Sequence, residues 1–180
     1  VWLHYGPGRL TGPALAEKAA DCDIVLTSYA TARRDIGHLS AIPWDAVTLD
    51  EAQNIKNALA KQSRSIRKLT ARHRIALTGT PLENRLTELW SIFDFLNPGY
   101  LGSREQFRSR FALPIERSGD ERRAEQLQRI IQPFVMRRVK TDQTIIRDLP
   151  EKLEMKVYCP LTKEQAALYE AYVRDALAEV

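Results

Sequence analysis

At residues 46–53 the chain reads Ala46-Val47-Thr48-Leu49-Asp50-Glu51-Ala52-Gln53, a short apolar run that ends in two adjacent carboxylates. The first four residues are small, branched or aliphatic, which is typical of a buried β-strand. Two other runs have the same character, at Ile24–Thr27 and at Ile75–Thr78. We therefore predict three buried strands in the first hundred residues.

Helical patterns lie between and after the last two predicted strands. Apolar residues recur at helical spacing over Leu59–Leu69 and over Leu86–Leu96, and Asn97-Pro98-Gly99 ends the second pattern. Alternation of helices with continuous apolar strands indicates an α/β fold, in which a parallel sheet is covered on both faces. Ligands of such folds bind at the carboxyl ends of the strands, where Asp50-Glu51 and Thr78-Gly79-Thr80 lie.

The character of the chain changes after about residue 100. Ser103-Arg104-Glu105-Gln106 and Thr162-Lys163-Glu164-Gln165 have the form of capping boxes, each of which opens a helix. A third helical pattern spans residues 120–132, and the alternation over Leu153–Cys159 predicts a strand. We divide the chain into part of an α/β lobe at 1–100, a helical insertion at 101–150, and a strand with a helix at 151–180.

The composition limits the class of protein. Hydrophobic residues make up 44% and charged residues 28% of the 180 residues, as in ordinary globular domains, so extensive disorder is excluded. Two distant cysteines cannot form a disulfide framework and fit a reduced, intracellular environment, and no apolar run has the length of a membrane span. The chain begins without Met and its last residues continue a helical pattern, so we expect an interior piece of a longer protein.

Positive charge is concentrated in one segment. The net charge of the chain is +4, and residues 104–140 contain ten Lys or Arg against five Asp or Glu. A segment of this kind attracts a polyanion such as nucleic acid, although a solvated helical face has the same composition.

The adjacent carboxylates Asp50 and Glu51 are the strongest chemical signal. Two negative charges at the ligand edge of a parallel sheet repel each other unless a cation is present. Hydrolysis of a nucleotide phosphate supplies that cation, since one carboxylate can hold Mg²⁺ while the other orients the attacking water. An isolated Asp-Glu pair is usually an exposed turn, so the interpretation depends on the rest of the sequence.

Five segments together resemble the Swi/Snf family of DNA-translocating ATPases, which are related to superfamily-two helicases. Leu49–Asn57 resembles the family's Walker B box in its DEAQ form, and Ala76–Leu86 with the helix after it resembles its third motif. Asp23–Tyr29 resembles a strand and turn that touches DNA, and Pro133–Asp142 with Leu149–Lys152 resembles the end of its helical insertion. The segments occur in the family's order and cover nearly the whole chain, and the bacterial members are the most similar.

The resemblance implies a fold and a set of roles. The fold is a three-layer, RecA-like (P-loop NTPase-type) parallel sheet, incomplete in this chain, with a basic α-helical insertion. Asp50 would hold the Mg²⁺ ion, Glu51 would polarise the attacking water, and Gln53 would sense the γ-phosphate or contact the opposite lobe. The trio Thr78-Gly79-Thr80 would couple the nucleotide state to the grip on DNA; the alternative is a tight capped turn.

Contacts with nucleic acid are also implied. Residues of the strand-end turn would bind phosphate oxygens, with strand-end packing as the alternative. The other candidates would contact the DNA backbone or the second lobe, with solvated charges or structural pairs as the alternative. The predicted nucleic-acid-binding residues are Thr27, Ser28 and Tyr29 in the turn, and Lys56, Asn57, Arg137, Arg138 and Lys140 elsewhere.

The sequence also departs from the family pattern. None of the eight glycines is followed by lysine, so the Gly-Lys-Ser/Thr phosphate loop (Walker A) is absent, and we expect it upstream of Val1. The second RecA-like lobe, with its arginine finger, is expected downstream of Val180. The resemblance therefore implies a longer parent enzyme that hydrolyses ATP with Mg²⁺, and an isolated chain that is inactive.

The implied function is the motor of an ATP-dependent translocase that moves along double-stranded DNA and remodels protein–DNA complexes. Its partners would be double-stranded DNA, the second lobe of the same chain, and DNA-bound proteins or RNA polymerase, with no membrane. We expect a cytoplasmic protein, associated with the nucleoid in a bacterium. Two alternatives stay open, a superfamily-two helicase that separates strands and a non-catalytic nucleic-acid-binding module.

Overall fold

The structure is a computed structural model that describes residues 1–80, 85–138 and 153–178. The chain divides into two compact units, Val1–Val135 and Met136–Val180. The second unit contains the helix α9 (Lys163–Ala178). The elements of the first unit, in chain order, are β1 (Trp2–His4), α1 (Gly12–Ala20), β2 (Val25–Thr27), α2 (Tyr29–Arg34), α3 (Ile36–Leu39), β3 (Trp44–Leu49), α4 (Lys61–Ile66), β4 (Ala71–Ala76), α5 (Leu86–Leu96), α6 (Arg104–Phe107), α7 (Leu113–Ser118) and α8 (Glu121–Ile131).

The strands form two parallel pairs. β1 pairs with β2, with Leu3 opposite Leu26, and β3 pairs with β4, with Leu49 opposite Ala76. Parallel neighbours need a crossover, which α1 supplies for the first pair and α4 for the second. The predicted α/β class with parallel strands is confirmed. The strands form two separate two-stranded sheets. A cavity of about 270 Å³ is lined by residues of both β2 and β3.

Two of the predicted strands need correction. The third predicted strand, Ile75–Thr78, is β4 at Ala71–Ala76, because its first half contains polar residues that hide it from an apolar pattern. The strand predicted at Leu153–Cys159 is wrong, since this segment is neither strand nor helix. Its alternate side chains Leu153 and Met155 are 95% and 86% exposed. A strand needs a neighbouring backbone, and none of the described residues pairs with this segment.

Helix α5 connects two hydrophobic cores. Six of its eleven residues are buried, which is expected of a helix that is apolar on most of its faces. Phe95 packs into the first core, whereas Leu89, Trp90 and Phe93 pack into the second. The first core otherwise consists of Leu15, Ala32, Leu39, Leu49, Ala52, Ile55, Ile66 and Leu69, and the second of Phe107, Phe111, Ala112 and Leu127.

Of the helical insertion predicted at 101–150, residues 104–134 are helical apart from a break at 119–120, and residues 139–152 lie outside the described residues. The Ser103 hydroxyl accepts a hydrogen bond from the Gln106 amide, and the Gln106 side chain accepts one from the Ser103 amide, so the first capping box is confirmed. Thr162 and Gln165 make the same reciprocal pair at the start of α9. A π-helical turn, Arg108–Ala112, joins α6 to α7. Within the described ranges, no helix combines the length and apolarity that a membrane span requires.

A buried ionic cluster ties β1 to the end of α2. The Asp35 carboxylate accepts hydrogen bonds from the Arg9 guanidinium at 2.5 and 2.9 Å, and lies 2.9 Å from Nε2 of the fully buried His4. The hydrogen bond from Arg9 holds the pKa of Asp35 below its usual range against the opposing effect of burial, and the hydrogen bond with His4 lowers this pKa by a smaller amount. The cluster therefore stabilises the fold while Asp35 is ionised.

We expect acid to remove this stabilisation. A carboxyl group whose pKa is lower in the folded state contributes stability above its unfolded pKa, and the contribution disappears as the pH falls through the folded value. The free energy of unfolding, measured by urea denaturation, should decline below about pH 4. Asp35→Asn should be less stable at pH 7 and should lack this part of the decline.

The matched control is Asp45→Asn. Asp45 is 3.5 Å from Arg72 in an ion pair whose side chains are both more than three-quarters exposed. Exposed pairs contribute little, so this variant should unfold at the wild-type denaturant concentration. An Asp35→Asn variant with wild-type stability at pH 7 would contradict the role of the cluster.

Candidate functional site

The carboxylates Asp50 and Glu51 lie in a turn that the backbone of Leu77 creates. The Leu77 amide donates to the Leu49 carbonyl at 2.8 Å, and the Leu77 carbonyl accepts from the Ala52 amide at 2.9 Å. The pairing between β3 and the residue after β4 is thus kept on both sides of Asp50 and Glu51. These two residues cannot join the ladder, so they project from the sheet edge as an exposed pair. We call residues 50 and 51 the carboxylate turn.

Glu51 has a left-handed backbone conformation, with φ 49° and ψ 53°. Among the described residues it is the only non-glycine residue with a positive φ. This conformation is uncommon for residues with a Cβ atom and persists where the surroundings fix it. The Glu51 amide donates to the Asp50 side chain at 2.9 Å, and the Glu51 carbonyl accepts from the Asn54 amide at 2.9 Å. The turn is therefore held on both sides of the strained residue.

A chain of hydrogen bonds connects the carboxylate turn to the end of β4. The Gln53 amide group donates to the Glu51 carboxylate at 2.6 Å, and the Gln53 oxygen accepts from the Thr78 hydroxyl at 2.7 Å. The Thr78 hydroxyl in turn accepts from the Thr80 amide at 3.1 Å. The structure thus brings together the carboxylates and the predicted Thr78-Gly79-Thr80 trio. A displacement of that trio would move the group that orients Glu51.

Tyr29 approaches the same turn from α2. Its hydroxyl donates to the backbone carbonyl of Asp50 at 2.8 Å. Burial raises the pKa of Tyr29 to about 12, and the negative charges of Asp50 and Glu51 act in the same direction. The hydroxyl is therefore protonated and acts as a donor at neutral pH.

Helix α5 is bonded to the segment that follows the carboxylate turn. Ala52–Ile55 form a 3₁₀ helix directly after the carboxylate turn, and the Ser91 hydroxyl donates to the Ile55 carbonyl. Ser91 also accepts from the guanidinium of Arg67 at 2.6 Å, and that guanidinium lies 5.5 Å from the centre of the Trp90 ring. The 3₁₀ helix after the carboxylate turn is thus bonded to a buried residue of α5.

The predicted nucleic-acid-binding residues near the strand ends already have partners within the chain. The Thr27 hydroxyl donates to the His4 carbonyl at 2.9 Å, and Ser28 caps α2 by accepting from the Thr31 amide at 3.2 Å. Thr27, Ser28, Tyr29 and Asp50 all line the cavity between β2 and β3.

The remaining candidates are spread over the chain. Lys56 is half-buried, and the exposed Asn57 accepts a hydrogen bond from the Leu59 amide at 3.0 Å. Arg137 and Arg138 are exposed and belong to the second unit, in a segment without helix or strand. Lys140 lies outside the described residues.

The carboxylate turn suits a magnesium ion better than a transition metal. Among the described residues no group of three or more His, Cys, Asp or Glu side chains could hold a metal. Mg²⁺ does not need such a group, because it keeps several waters and binds through one or two carboxylates together with phosphate oxygens. Asp50 and Glu51 supply that kind of partial oxygen ligand set.

Sequence reasoning missed two features of the site. The hydrogen bond from Tyr29 to Asp50 joins residues from separate strand pairs, and no local pattern indicates it. The left-handed conformation of Glu51 follows from the two hydrogen bonds of Leu77. An apolar run that ends in Asp-Glu does not indicate this conformation. Tyr29 and Glu51 each follow a predicted strand, and this position is the one feature of the sequence that indicates that they lie at the same edge of the sheet.

Comparison with known proteins identifies relatives of the chain. The SNF2-related domain family matches residues 13–179. The helicase/translocase YwqA of Bacillus subtilis is 57% identical over 175 residues, which cover 97% of this chain and 19% of the relative. The TATA-binding protein-associated factor MOT1 of Saccharomyces cerevisiae is 37% identical over 181 residues, which cover 94% of this chain and 10% of the relative. The chain thus spans between a tenth and a fifth of these relatives.

Two solved structures have a similar fold. The Sulfolobus solfataricus SWI2/SNF2 ATPase core in complex with dsDNA is 51% identical, with a TM-score of 0.66 over 88% of this chain and 33% of that chain. The same ATPase core domain in a second structure is 45% identical, with a TM-score of 0.67 over 99% of this chain and 36% of that chain. The predicted resemblance and the predicted RecA-like fold class are confirmed.

We expect the Thr78 hydroxyl to protect the backbone at Thr80. Thr78→Val keeps the shape of the side chain but removes the oxygen that accepts from the Thr80 amide. That amide should exchange with deuterium about fivefold faster, the scale of a hydrogen bond that contributes about 1 kcal/mol. Thr27→Val removes a hydroxyl that donates to His4 and should leave exchange at Thr80 unchanged. Equal rates in the wild type and Thr78→Val would contradict the hydrogen-bond chain.

Proposed function

This chain belongs to the SNF2-related domain family, and we propose that it forms part of the ATPase motor of a longer protein that translocates along double-stranded DNA and remodels protein–DNA complexes. The observation that carries the proposal is the carboxylate turn, two exposed acidic residues at the carboxyl end of a parallel strand. Ligands of α/β proteins bind at this edge of the sheet. A relative with a SWI2/SNF2 ATPase core has been solved in complex with dsDNA, which supports the choice of partner.

Asp50 and Glu51 have different roles in this proposal. Asp50 would hold a magnesium ion, and the ion would neutralise charge on the nucleotide phosphates. Glu51 accepts a hydrogen bond from the Gln53 amide, which orients its carboxylate without neutralising it. The carboxylate can therefore accept a proton from, or orient, the attacking water. We assign direct binding of the ATP phosphates by a phosphate loop to no residue of this chain.

In this proposal, Gln53 and the trio Thr78-Gly79-Thr80 couple DNA binding to the position of the Glu51 carboxylate. The hydrogen bonds from Thr80 to Thr78, from Thr78 to Gln53 and from Gln53 to Glu51 form one continuous path. A change at Thr78-Gly79-Thr80 on DNA binding would therefore reach the water-activating carboxylate. A sensor role for Gln53 towards the γ-phosphate is compatible with the same geometry, because Gln53 is half-buried beside Glu51.

The nucleic-acid contacts are of two kinds. Thr27, Ser28 and Tyr29 lie at the carboxyl end of β2, on the cavity that Asp50 also lines. Lys56 and Asn57 follow the 3₁₀ helix after the carboxylate turn, and Arg137 and Arg138 supply exposed positive charge. Contacts of this kind bind phosphates without reading the sequence of the DNA. The second lobe and DNA-bound proteins, RNA polymerase among them, are further partners in this proposal, as is a location in the cytoplasm at the bacterial nucleoid.

The two alternative functions have less support. The family and its DNA-bound relative do not favour a strand-separating helicase. A non-catalytic binding module has no need of two carboxylates held in a strained turn, yet the turn is intact and hydrogen-bonded.

We expect Glu51→Gln in the full-length protein to separate binding from chemistry. The variant keeps the size of the side chain but removes the charge that orients and polarises the attacking water. ATP and Mg²⁺ should bind as in the wild type, and turnover of ATP in the presence of DNA should fall by about a hundredfold or more.

The matched control is Asp50→Asn, which perturbs the metal site. Its ATPase activity should require a higher Mg²⁺ concentration, a change that Glu51→Gln should not show. DNA-stimulated ATPase activity near the wild-type level in Glu51→Gln would overturn the assignment of the carboxylate turn.

We expect Arg137 and Arg138 to contribute to DNA binding through charge. Each phosphate that a side chain neutralises releases counterions, so the affinity of the full-length protein should fall steeply with salt. Replacing both arginines by alanine should weaken binding and lower the slope of log K against log salt by about one unit for each lost phosphate contact.

Arg72→Ala provides the control for this measurement. Arg72 is an exposed arginine on β4, paired with Asp45 at 3.5 Å, and its loss should leave the salt slope unchanged. An unchanged slope in the Arg137/Arg138 double variant, together with a lower melting temperature, would assign that pair to structure instead.

A further inference from the structure

The peptide unit between Asp50 and Glu51 is held at both of its polar groups. Its carbonyl accepts from the Tyr29 hydroxyl at 2.8 Å, and its N–H donates to the Asp50 side chain at 2.9 Å. The second partner belongs to the turn itself and moves with it. Of these two partners, Tyr29 is therefore the one that ties the peptide plane directly to another part of the fold.

The orientation of this peptide plane decides where the Glu51 carboxylate points. The Glu51 φ angle of 49° is the torsion directly after the plane, so a rotation of the plane redirects the Cβ atom of Glu51. A left-handed non-glycine residue keeps its conformation only while neighbouring contacts fix it. Loss of the Tyr29 hydrogen bond would leave one hydrogen bond, from within the turn, to hold the plane.

Tyr29 also belongs to the segment that we propose to contact DNA. It follows Ser28, which caps α2, and Thr27, whose hydroxyl is bonded to the His4 carbonyl on β1. The backbone of this segment is thus anchored to the β1–β2 pair, whereas the carboxylate turn is anchored to the β3–β4 pair. The Tyr29 hydroxyl bridges the two strand pairs across the cavity that both line.

We propose that Tyr29 is a positioning residue: its hydroxyl holds the carboxylate turn so that Glu51 activates water, and it transmits DNA contact at Thr27 and Ser28 to that turn. The inference rests on the proposed function. It replaces the phosphate contact proposed above for the Tyr29 side chain with a role through Glu51, because the Tyr29 hydroxyl is already bonded to the Asp50 carbonyl.

The test is Tyr29→Phe in the full-length protein, which removes one oxygen atom and keeps the ring. The kcat of ATP hydrolysis at saturating DNA should fall about tenfold, because a misplaced catalytic group loses its geometry. The KM for ATP and the Kd for duplex DNA should stay within twofold of the wild type. An unchanged kcat with weaker DNA binding would overturn the proposal and make Tyr29 a DNA ligand.

Tyr100→Phe is the matched control. The Tyr100 hydroxyl also donates to a backbone carbonyl, that of Ile130 at 3.1 Å, so the same kind of hydrogen bond is lost away from the carboxylate turn. This variant should keep the wild-type kcat. Equal losses of kcat in both variants would overturn the proposal, since they would reflect a general effect of a lost hydrogen bond.

A double-mutant cycle with Glu51→Gln tests whether Tyr29 acts through Glu51. In single-turnover measurements, Tyr29→Phe should have almost no further effect once the Glu51 charge is absent. A full tenfold loss on that background would overturn the proposal.

The same cycle separates this inference from the proposed function. Activity of Glu51→Gln near the wild-type level would refute the proposed function itself. An inactive Glu51→Gln beside a fully active Tyr29→Phe would refute the role of Tyr29 alone.

Discussion

The two hydrogen bonds of the Leu77 backbone are the constraint on which the site depends. They keep the ladder intact at Leu49 and Ala52, and the two residues between must leave it. Glu51 consequently adopts a left-handed conformation that costs about 1–2 kcal/mol in an L-residue. The surrounding hydrogen bonds offset this cost, so the carboxylate pair is exposed and yet fixed in position. A turn without these bonds would relax, and the direction of the Glu51 side chain would be lost.

The parts of the fold that depend on local rules could be predicted from the sequence. The apolar period of Leu86–Leu96 predicted α5 with its observed bounds, and Ser103 with Gln106 predicted the start of α6. The strand at Leu153–Cys159 had an equally regular pattern but did not form, because alternation describes the faces of a strand and not the neighbour that it needs. The apolar pattern also does not show that the strands form two separate pairs, because it does not identify the neighbour of each strand.

The part of the site that the order of the strands determines could be predicted from the sequence. Asp50 and Thr78 follow neighbouring parallel strands, so the rule that such ends share one edge of the sheet brought them together. The hydrogen bond between Gln53 and Thr78, and the contact of Tyr29 with Asp50, depend on tertiary distances that sequence spacing does not contain. Tyr29 was predicted to contact phosphate, whereas in the structure its hydroxyl is bonded to the protein.

The hydrogen bonds described at the carboxylate turn come from neutral groups, and this choice has a chemical consequence. The Gln53 amide orients Glu51, the Tyr29 hydroxyl orients the Asp50 carbonyl, and a backbone amide contacts the Asp50 side chain. A lysine or arginine in the place of Gln53 would hold Glu51 more strongly, but an adjacent cation lowers the pKa of a carboxyl group and makes it a weaker base. It would also compete with a metal ion for the same negative charge. Neutral donors fix the geometry and leave the charge of both carboxylates for the metal and the water.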